Sequence, residues 1–216
     1  MEFSELESLI KTRRSVRKWQ TKKVPEELLI KALELATWAP SGGNQQNWHF
    51  YVVVGPDKIR AIADAVRASS QLMASWTEPA RSGPAPGFGR GATFFEAAPA
   101  VIAVAMSPYR SGADIAFEAR EKTDPRAARM LRARRTADSG VQSVSAAISH
   151  LLLVFHQMGL GAVWMTGPIQ AKEEIERVLN VPAGLDLIAL IPVGYPDEKP
   201  ESRGRKPFSE VGEIVR

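Results

Sequence analysis

Hydrophobic residues recur at two different spacings along this chain. A recurrence every three or four residues predicts amphipathic helices, whereas short continuous apolar runs predict buried strands. The helical spacing predicts helices over residues 4–12, 25–39, 59–68, 141–158 and 172–179. The apolar runs predict strands over residues 50–54, 100–106, 162–166 and 187–193.

Local signals place the ends of several predicted elements. Ser4 and Glu7 have the spacing of a capping box, and Pro25 suits the first turn of a helix. The second helix should bury one face, formed by Leu28, Leu29, Ala32, Leu33 and Ala36. In residues 141–158 the apolar positions cover more than one face, so this helix should lie deep in the core or between subunits.

Helices outnumber strands and alternate with them along the chain, which predicts an α+β fold with a central sheet covered by helices. Since 44% of the residues are hydrophobic and no linker or repeat interrupts the chain, residues 1–216 should form a single domain. Two polar stretches, 69–93 and 107–137, are candidate lid or interface segments. The tail, 196–216, has too few apolar residues to pack alone and should embrace a partner subunit.

The composition excludes several classes of protein. The chain has no cysteine, which rules out disulfides, zinc–thiolate sites and thiol nucleophiles. His49, His150 and His156 lack metal-ligand spacing, so no metal site is expected. No leader pattern and no apolar run of about 18 residues is present, so we expect a cytoplasmic protein with no membrane partner.

The net charge of +4 and the pI of about 9.5 raise the question of nucleic-acid binding. The densest basic stretch, residues 120–135, also contains Glu121 and Asp124. Such mixed runs are usually exposed or subunit-contacting helices. We therefore expect no nucleic-acid partner, and the basic surplus is equally suited to a small anionic ligand.

Three arginines lie within five residues, at Arg13, Arg14 and Arg17, with Ser15 between them. They could simply complement the dipole at the end of the first helix. Alternatively, their planar guanidinium groups could bind a phosphate through paired hydrogen bonds. A second basic set lies far away in the sequence: Arg203, Arg205 and Lys206.

The loop of residues 40–48 is rich in glycines and amides. It could be an ordinary connection from helix to strand, because Gly and Asn are common in turns. Four consecutive amide side chains, however, offer donors and acceptors that match the polar edge of an isoalloxazine ring. These four residues are Asn44, Gln45, Gln46 and Asn47.

On these motifs the chain resembles the flavin-dependent nitroreductase family. The resemblance rests on the Arg-Arg-Ser-Val-Arg block at 13–17, the Ala-Pro-Ser-Gly-Gly-Asn-Gln-Gln-x-Trp block at 39–48, the Met-Gly-Leu-Gly ending at 158–161 and the Arg-Lys-Pro at 205–207. It implies a mainly antiparallel central sheet and an interlocked homodimer, with FMN bound in two sites at the subunit interface.

The resemblance also implies which residues hold the cofactor. Those around the phosphate and part of the ring would be Arg13, Arg14, Ser15, Val16, Arg17, Arg203 and Arg205. The other subunit would contribute Pro40, Ser41, Gly42, Gly43 and Asn44. The stretch along the flavin face would be Trp164, Met165, Thr166 and Gly167, with a backbone N–H near Thr166 directed at flavin N5. No side chain would be needed as a catalytic acid or base.

The implied activity is an FMN-dependent oxidoreductase. NADH or NADPH would reduce the flavin, and a small flat acceptor such as a nitroaromatic or a quinone would then be reduced in ping-pong order. The alternatives are a flavin-binding sensor or carrier without turnover, and a specialised branch that cleaves flavin or removes halogen reductively. His150 stands where relatives often carry Asn or Gln. Between Ser69 and Thr93 the Glu, Tyr and Lys trio of the iodotyrosine deiodinases is not found, which makes that substrate unexpected.

Four aromatic residues in the neighbourhood of the first polar stretch have two interpretations. They could be ordinary core residues, or some of them could cover the flavin and select flat substrates. These residues are Trp76, Phe88, Phe94 and Phe95.

Overall fold

A computed structural model describes residues 2–76 and 93–216. One four-stranded sheet runs through it, with strands β1 (Trp48–Val53), β2 (Ala100–Met106), β3 (Gly161–Ala162) and β4 (Asp186–Gly194). Eight α-helices are described around it: α1 (Phe3–Thr12), α2 (Glu26–Ala36), α3 (Pro56–Ala74), α4 (Gly112–Arg120), α5 (Pro125–Ala137), α6 (Ser139–Gln157), α7 (Lys172–Leu179) and α8 (Phe208–Val211). Short 3₁₀ turns cover Gly42–Asn44, Phe94–Ala97 and Gly167–Ala171.

The strand order is β1-β2-β4-β3, and every pairing among these strands is antiparallel. The predicted α+β class with a mainly antiparallel sheet is therefore confirmed. The register of β2 against β4 shifts between Val104 and Ala105.

The sheet lies between two layers of helices, which explains why β2 is a continuous apolar run. Ile102 and Val104 pack on one face with buried residues of α2 and α6. Val101 and Ala103 pack on the other face with α3 and α7. Both faces of the strand therefore lie in a core, and no polar side chain is tolerated along it. The predicted buried face of α2 and the deep position of α6 are also confirmed.

The segment after α1 runs along the sheet edge and is bonded at both of its ends. The backbone N–H of Val16 donates to the carbonyl of Ala162, the last residue of β3, at 3.1 Å. The N–H of Gln20 donates to the carbonyl of Tyr195 at 2.9 Å. These bonds bring residues 13–20 and the beginning of the C-terminal tail side by side.

Several element boundaries differ from the sequence-based expectation. The α1 capping box is formed by Glu2 and Glu5, two residues earlier than the predicted Ser4 and Glu7. We predicted that α3 ends near residue 68, but it continues to Ala74. Its last turns are held because Ser70 is buried and accepts a hydrogen bond from the side chain of Gln170 at 2.9 Å. The rest of the first polar stretch, from residue 77 to residue 92, lies outside the described residues.

The predicted strand at 162–166 is much shorter in the structure, since only Gly161 and Ala162 form a ladder with β4. The next position on β4 is Pro192, which has no N–H to donate and so interrupts the ladder. Val163 still donates to the carbonyl of Pro192 at 3.3 Å, and Met165 exchanges two bonds of 2.9 Å with Leu190. The chain therefore follows β4 as far as residue 165 without being a regular strand.

The second polar stretch, 107–137, forms the two helices α4 and α5, which pack on each other. Of the four aromatic residues considered above, Phe95 is fully buried, Phe94 stacks on Trp19 with ring centroids 6.2 Å apart, and Trp76 is exposed. Phe88 lies outside the described residues. Phe95 is thus a core residue. Among residues 2–76 and 93–216, no helix has the length and apolar character needed to cross a membrane.

Candidate functional site

The arginine segment, residues 13–17, is held against the sheet edge by its apolar members. Val16 is buried and packs on Gly161, which has no side chain and lets the two backbones approach closely. The indole N–H of Trp19 donates to the carbonyl of Gly161 at 2.8 Å. Because Val16 points inward, only its backbone is near the site that the arginines form.

A cavity of about 460 Å³ lies between this segment and the C-terminal tail. Its lining combines both basic sets that the sequence separates by almost the whole chain. The lining residues are Arg13, Arg14, Ser15, Arg17, Pro200, Glu201, Ser202, Arg203 and Arg205. We call this the arginine cavity.

Five guanidinium groups line the arginine cavity, those of Arg13, Arg14, Arg17, Arg203 and Arg205. None of them has a carboxylate within 4.0 Å among the described residues. Most of the other described arginines form an ion pair, as in the contact of 2.7 Å between Arg134 and Asp114. Burial lowers the pKa of Arg13, and the nearby charges of Arg205 and Arg14 lower it further. Positive charge is therefore concentrated in a cavity whose lining contains one carboxylate, that of Glu201.

A second cavity, of about 620 Å³, adjoins the arginine cavity and shares Arg13, Arg14, Ser202 and Arg205 with it. Its other walls are mostly apolar and come from α1, α6 and the stretch after β3. They are formed by Ile10, Lys11, Ser149, Leu152, Leu153, Trp164 and Gly204. We call this the ring cavity, because an apolar wall beside an anion site suits a flat ring with a charged end.

Trp164 carries an unsatisfied donor in the wall of the ring cavity. Its indole nitrogen is buried and has no hydrogen-bond partner among the described residues. A buried donor without a partner costs free energy, and such groups usually find a protein, water or ligand acceptor. Thr166 and Gly167, further along the same stretch, are exposed.

The amide-rich loop lies beside α6 and the stretch that precedes α4. Gly43 and Asn44 both adopt left-handed backbone conformations, with φ of 58° and 51°, which Gly and Asn tolerate best. The Gly42 N–H donates to the hydroxyl of Ser143 at 3.1 Å. The side chain of Gln45 donates to the carbonyl of Arg110 at 2.6 Å and accepts from its N–H at 3.3 Å.

The structure thus brings the two basic sets and Trp164 together, but it leaves the amide-rich loop and the residues Met165, Thr166 and Gly167 outside both cavities. The arginine segment, Arg203 and Arg205 share one cavity, and Trp164 adjoins it. Residues 40–44 are not among the lining of either cavity, so within one chain they form a separate region.

Several residues around these regions were not predicted from the sequence. Those near the cavities are Ser149, Leu152, Leu153, Glu198 and Ser202. Those near the amide-rich loop are Tyr109, Arg110 and Ser143. The apolar run of α6 could have indicated Leu152 and Leu153. The polar residues carry no periodic signal that would have indicated them. In the part of the chain that the structure describes, no cluster of His, Asp or Glu could hold a metal ion.

The chain is similar to known proteins over most of its length. The chain is 31% identical to the NADH dehydrogenase of Thermus thermophilus, over 92% of this chain and 90% of that protein. The crystal structure of a BluB-like flavoprotein from Clostridium difficile 630 is similar to it over 100% of both chains, with a TM-score of 0.83 and 26% identity. A crystal structure of iodotyrosine deiodinase bound to FMN and 3-iodo-L-tyrosine is similar over 98% of this chain and 97% of that one, with a TM-score of 0.71 and 26% identity. The Nitroreductase family matches residues 10–195, most of the chain, and the protein therefore belongs to the nitroreductase family.

Proposed function

We propose that this chain is an FMN-dependent oxidoreductase that takes electrons from NADH or NADPH and passes them to a small flat acceptor. The observation that carries the proposal is the arginine cavity, where five guanidinium groups from both ends of the chain surround one space and none of them forms an ion pair among the described residues. A phosphate dianion is the ligand that this donor set suits best, because each guanidinium can offer two parallel N–H groups.

The ring cavity supports the choice of FMN over a bare phosphate ester. It shares Arg13, Arg14 and Arg205 with the arginine cavity, so a ligand with a phosphate at one end could extend into it. Its apolar wall of Leu152 and Leu153 suits an aromatic ring, and Trp164 adds an aromatic side chain to the same wall. The relatives support the same choice, because one is a flavoprotein and another binds FMN.

Bound FMN would supply hydride transfer, accepting it from the nicotinamide and returning it to a nitroaromatic, a quinone or a similar acceptor. The task of the protein is then to bind and orient. Arg13, Arg14, Ser15, Arg203 and Arg205 would hold the phosphate. Arg17 would place a positive charge where negative charge develops on the reduced ring, an electrostatic role.

The stretch from Trp164 to Gly167 would lie along the ring, with backbone N–H groups rather than acids or bases as its contribution. The site residues predicted from the sequence include no His, Asp or Glu that could serve as a catalytic acid or base. The nicotinamide would bind transiently as a substrate, because the chain carries no Gly-rich dinucleotide fingerprint after a strand.

We further propose that two copies build each site. Helix α1 has no buried residue, and its apolar side chains Phe3 and Ile10 are 79% and 54% exposed. The tail likewise exposes Phe208, Val211, Ile214 and Val215. Exposed apolar surface of this extent is typical of interaction sites. In a homodimer, Pro40, Ser41, Gly42, Gly43 and Asn44 would reach the cofactor of the other subunit, which accounts for their separation from the arginine cavity within one chain.

Among acceptors, a nitroaromatic or quinone is favoured over an iodotyrosine. The resemblance to the deiodinases implies that an iodotyrosine is gripped by Glu, Tyr and Lys side chains, and residues 69–93 contain no Tyr and no Lys. Flat acceptors need no such polar grip.

The test is the visible spectrum of the purified protein, followed by mixing with NADH or NADPH. We expect flavin absorbance, either as purified or after addition of FMN, and rapid bleaching by the nicotinamide that returns when a quinone or nitroaromatic is added. Arg13→Ala and Arg205→Ala should weaken FMN binding, whereas Arg60→Ala, a surface control, should not. A protein that stays colourless with added FMN refutes the proposal. A flavin that no nicotinamide bleaches favours a binding protein without turnover.

A further inference from the structure

The C-terminal tail is joined to the arginine segment by a short series of hydrogen bonds. The Gln20 N–H donates to the carbonyl of Tyr195 at 2.9 Å, and the Asp197 N–H donates to the carbonyl of Lys18 at 3.0 Å. One residue further, a carboxylate oxygen of Glu198 accepts from two consecutive backbone N–H groups, those of Arg17 at 2.5 Å and Lys18 at 3.2 Å. Glu198 is the last residue in this series, and Arg203 and Arg205 follow it closely in sequence.

The carboxylate of Glu198 forms its bonds with the backbone although guanidinium groups surround the adjoining cavity. It makes no ion pair within 4.0 Å among residues 2–76 and 93–216. Hydrogen bonds from two N–H groups to a carboxylate are charge-assisted and therefore strong. Glu198 thus fastens the tail without neutralising Arg13, Arg14 or Arg17, which stay available for an anion.

Fastening the tail at this residue limits how far Arg203 and Arg205 can move. Only four residues separate Glu198 from Arg203, and residues 201–210 are all exposed, so little packing holds them. A short tether keeps the local concentration of the tethered groups high, and releasing it lowers that concentration. The match to the family ends at residue 195, so this fastening lies in the part of the chain beyond the match.

We propose that Glu198 is a positioning residue for the phosphate-binding arginines: by capping the N–H groups of Arg17 and Lys18, it holds Arg203 and Arg205 opposite Arg13 and Arg14. The proposal rests on the proposed function in that the anion is the phosphate of FMN. It assigns Glu198 no contact with the cofactor and no role in electron transfer.

The test compares FMN with riboflavin, which has the same ring but no phosphate, in three variants of the full-length protein. Glu198→Ala removes the two hydrogen bonds and the charge, and Glu198→Gln keeps an acceptor oxygen but removes the charge. Asp197→Ala is the matched control, since it removes the neighbouring carboxylate, which lines neither cavity and makes no side-chain hydrogen bond or ion pair among the described residues. Dissociation constants are measured by quenching of flavin fluorescence.

We expect Glu198→Ala to bind FMN about 10-fold more weakly, with riboflavin affinity changed by less than about 2-fold. Glu198→Gln keeps an acceptor oxygen but loses the charge assistance, so its loss of FMN affinity should be smaller than that of Glu198→Ala. Asp197→Ala should bind FMN at least as tightly as the wild type, because it removes a negative charge and leaves the fastening intact. A purely electrostatic role predicts tighter FMN binding in all three variants, and this result would overturn the proposal. Equal losses for FMN and riboflavin in Glu198→Ala would also overturn it, because they indicate general damage to the fold.

Hydrogen exchange measured without any flavin separates this proposal from the proposed function. In Glu198→Ala the amides of Arg17 and Lys18 should exchange faster by about 10-fold, and in Glu198→Gln the increase should be smaller. Unchanged exchange in Glu198→Ala refutes the fastening whatever the ligand is. A wild-type protein that binds neither flavin refutes the proposed function, and the exchange rates then decide on Glu198 alone.

Discussion

Replacing Gly161 by Ala tests how closely the arginine segment is fitted to the sheet edge. A Cβ atom at this position would lie 2.7 Å from both Cβ and Cγ2 of Val16 and 2.8 Å from its Cγ1. Carbon atoms in contact are normally about 3.5–4.0 Å apart, so the two backbones must separate by roughly 1 Å. Val16 cannot turn away, because it is β-branched, buried and closest through its own Cβ.

The separation has a cost that the surrounding hydrogen bonds define. A shift of roughly 1 Å would break the bond of 3.1 Å from Val16 to Ala162 and the bond of 2.8 Å from the indole of Trp19 to Gly161. Overpacking a core typically costs about 1–3 kcal/mol, and each lost hydrogen bond adds about 1 kcal/mol. We therefore expect Gly161→Ala to lower the free energy of unfolding by about 3–5 kcal/mol.

The assay is urea unfolding of the flavin-free protein, followed by tryptophan fluorescence and circular dichroism. The control is Gly112→Ala, because a Cβ at Gly112 would meet nothing within 4 Å. That variant should be neutral or slightly more stable than the wild type. The displaced arginine segment should also bind FMN more weakly in Gly161→Ala. If Gly161→Ala unfolds within about 0.5 kcal/mol of the wild type, the close fit described above is not a constraint on the fold.

Three further predictions concern polar contacts. Burial lowers the pKa of His156, and the charges of Arg13 and Arg14 lower it further, so the free energy of unfolding should fall as the pH drops below about 6.5. His156→Gln should remove this pH dependence from urea midpoints measured between pH 5 and 8, and an unchanged pH dependence would contradict the assignment. Hydrogen bonds from Arg134 and Ser111 hold the pKa of Asp114 well below its usual range, so the stabilisation it provides is complete above about pH 4 and is lost as the pH falls further. Asp114→Asn should be less stable than the wild type at pH 7, and thermal melts that show no narrowing of this gap in acid would argue against the ion pair. Gln45→Ala should cost about 1 kcal/mol in chemical unfolding and speed exchange of the Arg110 amide, and a variant with wild-type exchange would show that the contact is not maintained in solution.

Periodicity predicted the elements well where one periodic pattern determines the packing. Leu29, Ala32 and Ala36 are buried as their spacing on α2 indicates, and β2 is apolar on both faces because helices cover both. The ends of elements were predicted less well. The ladder at Ala162 stops because of Pro192, a residue on another strand that only the register brings opposite.

In the candidate site too, features with a sequence pattern were predicted and features set by residues distant in sequence were not. The convergence of Arg13 with Arg205 was predicted from charge chemistry and from the family resemblance, since two basic sets suit one dianion. Glu198 was not predicted, because a glutamate in a polar tail has no pattern that distinguishes it from a solvated one. Its partners are backbone groups 181 and 180 residues away, and only the folded chain brings them together.

Helix α1 leads directly into Arg13 and Arg14, yet none of its 10 residues is buried within its own chain. A helix of this length is only marginally stable by itself in water. If a second copy covers it, as we propose, the flavin affinity of each subunit depends on the protein concentration, because dilution separates the dimer. Dilution should then release the flavin well before either chain unfolds.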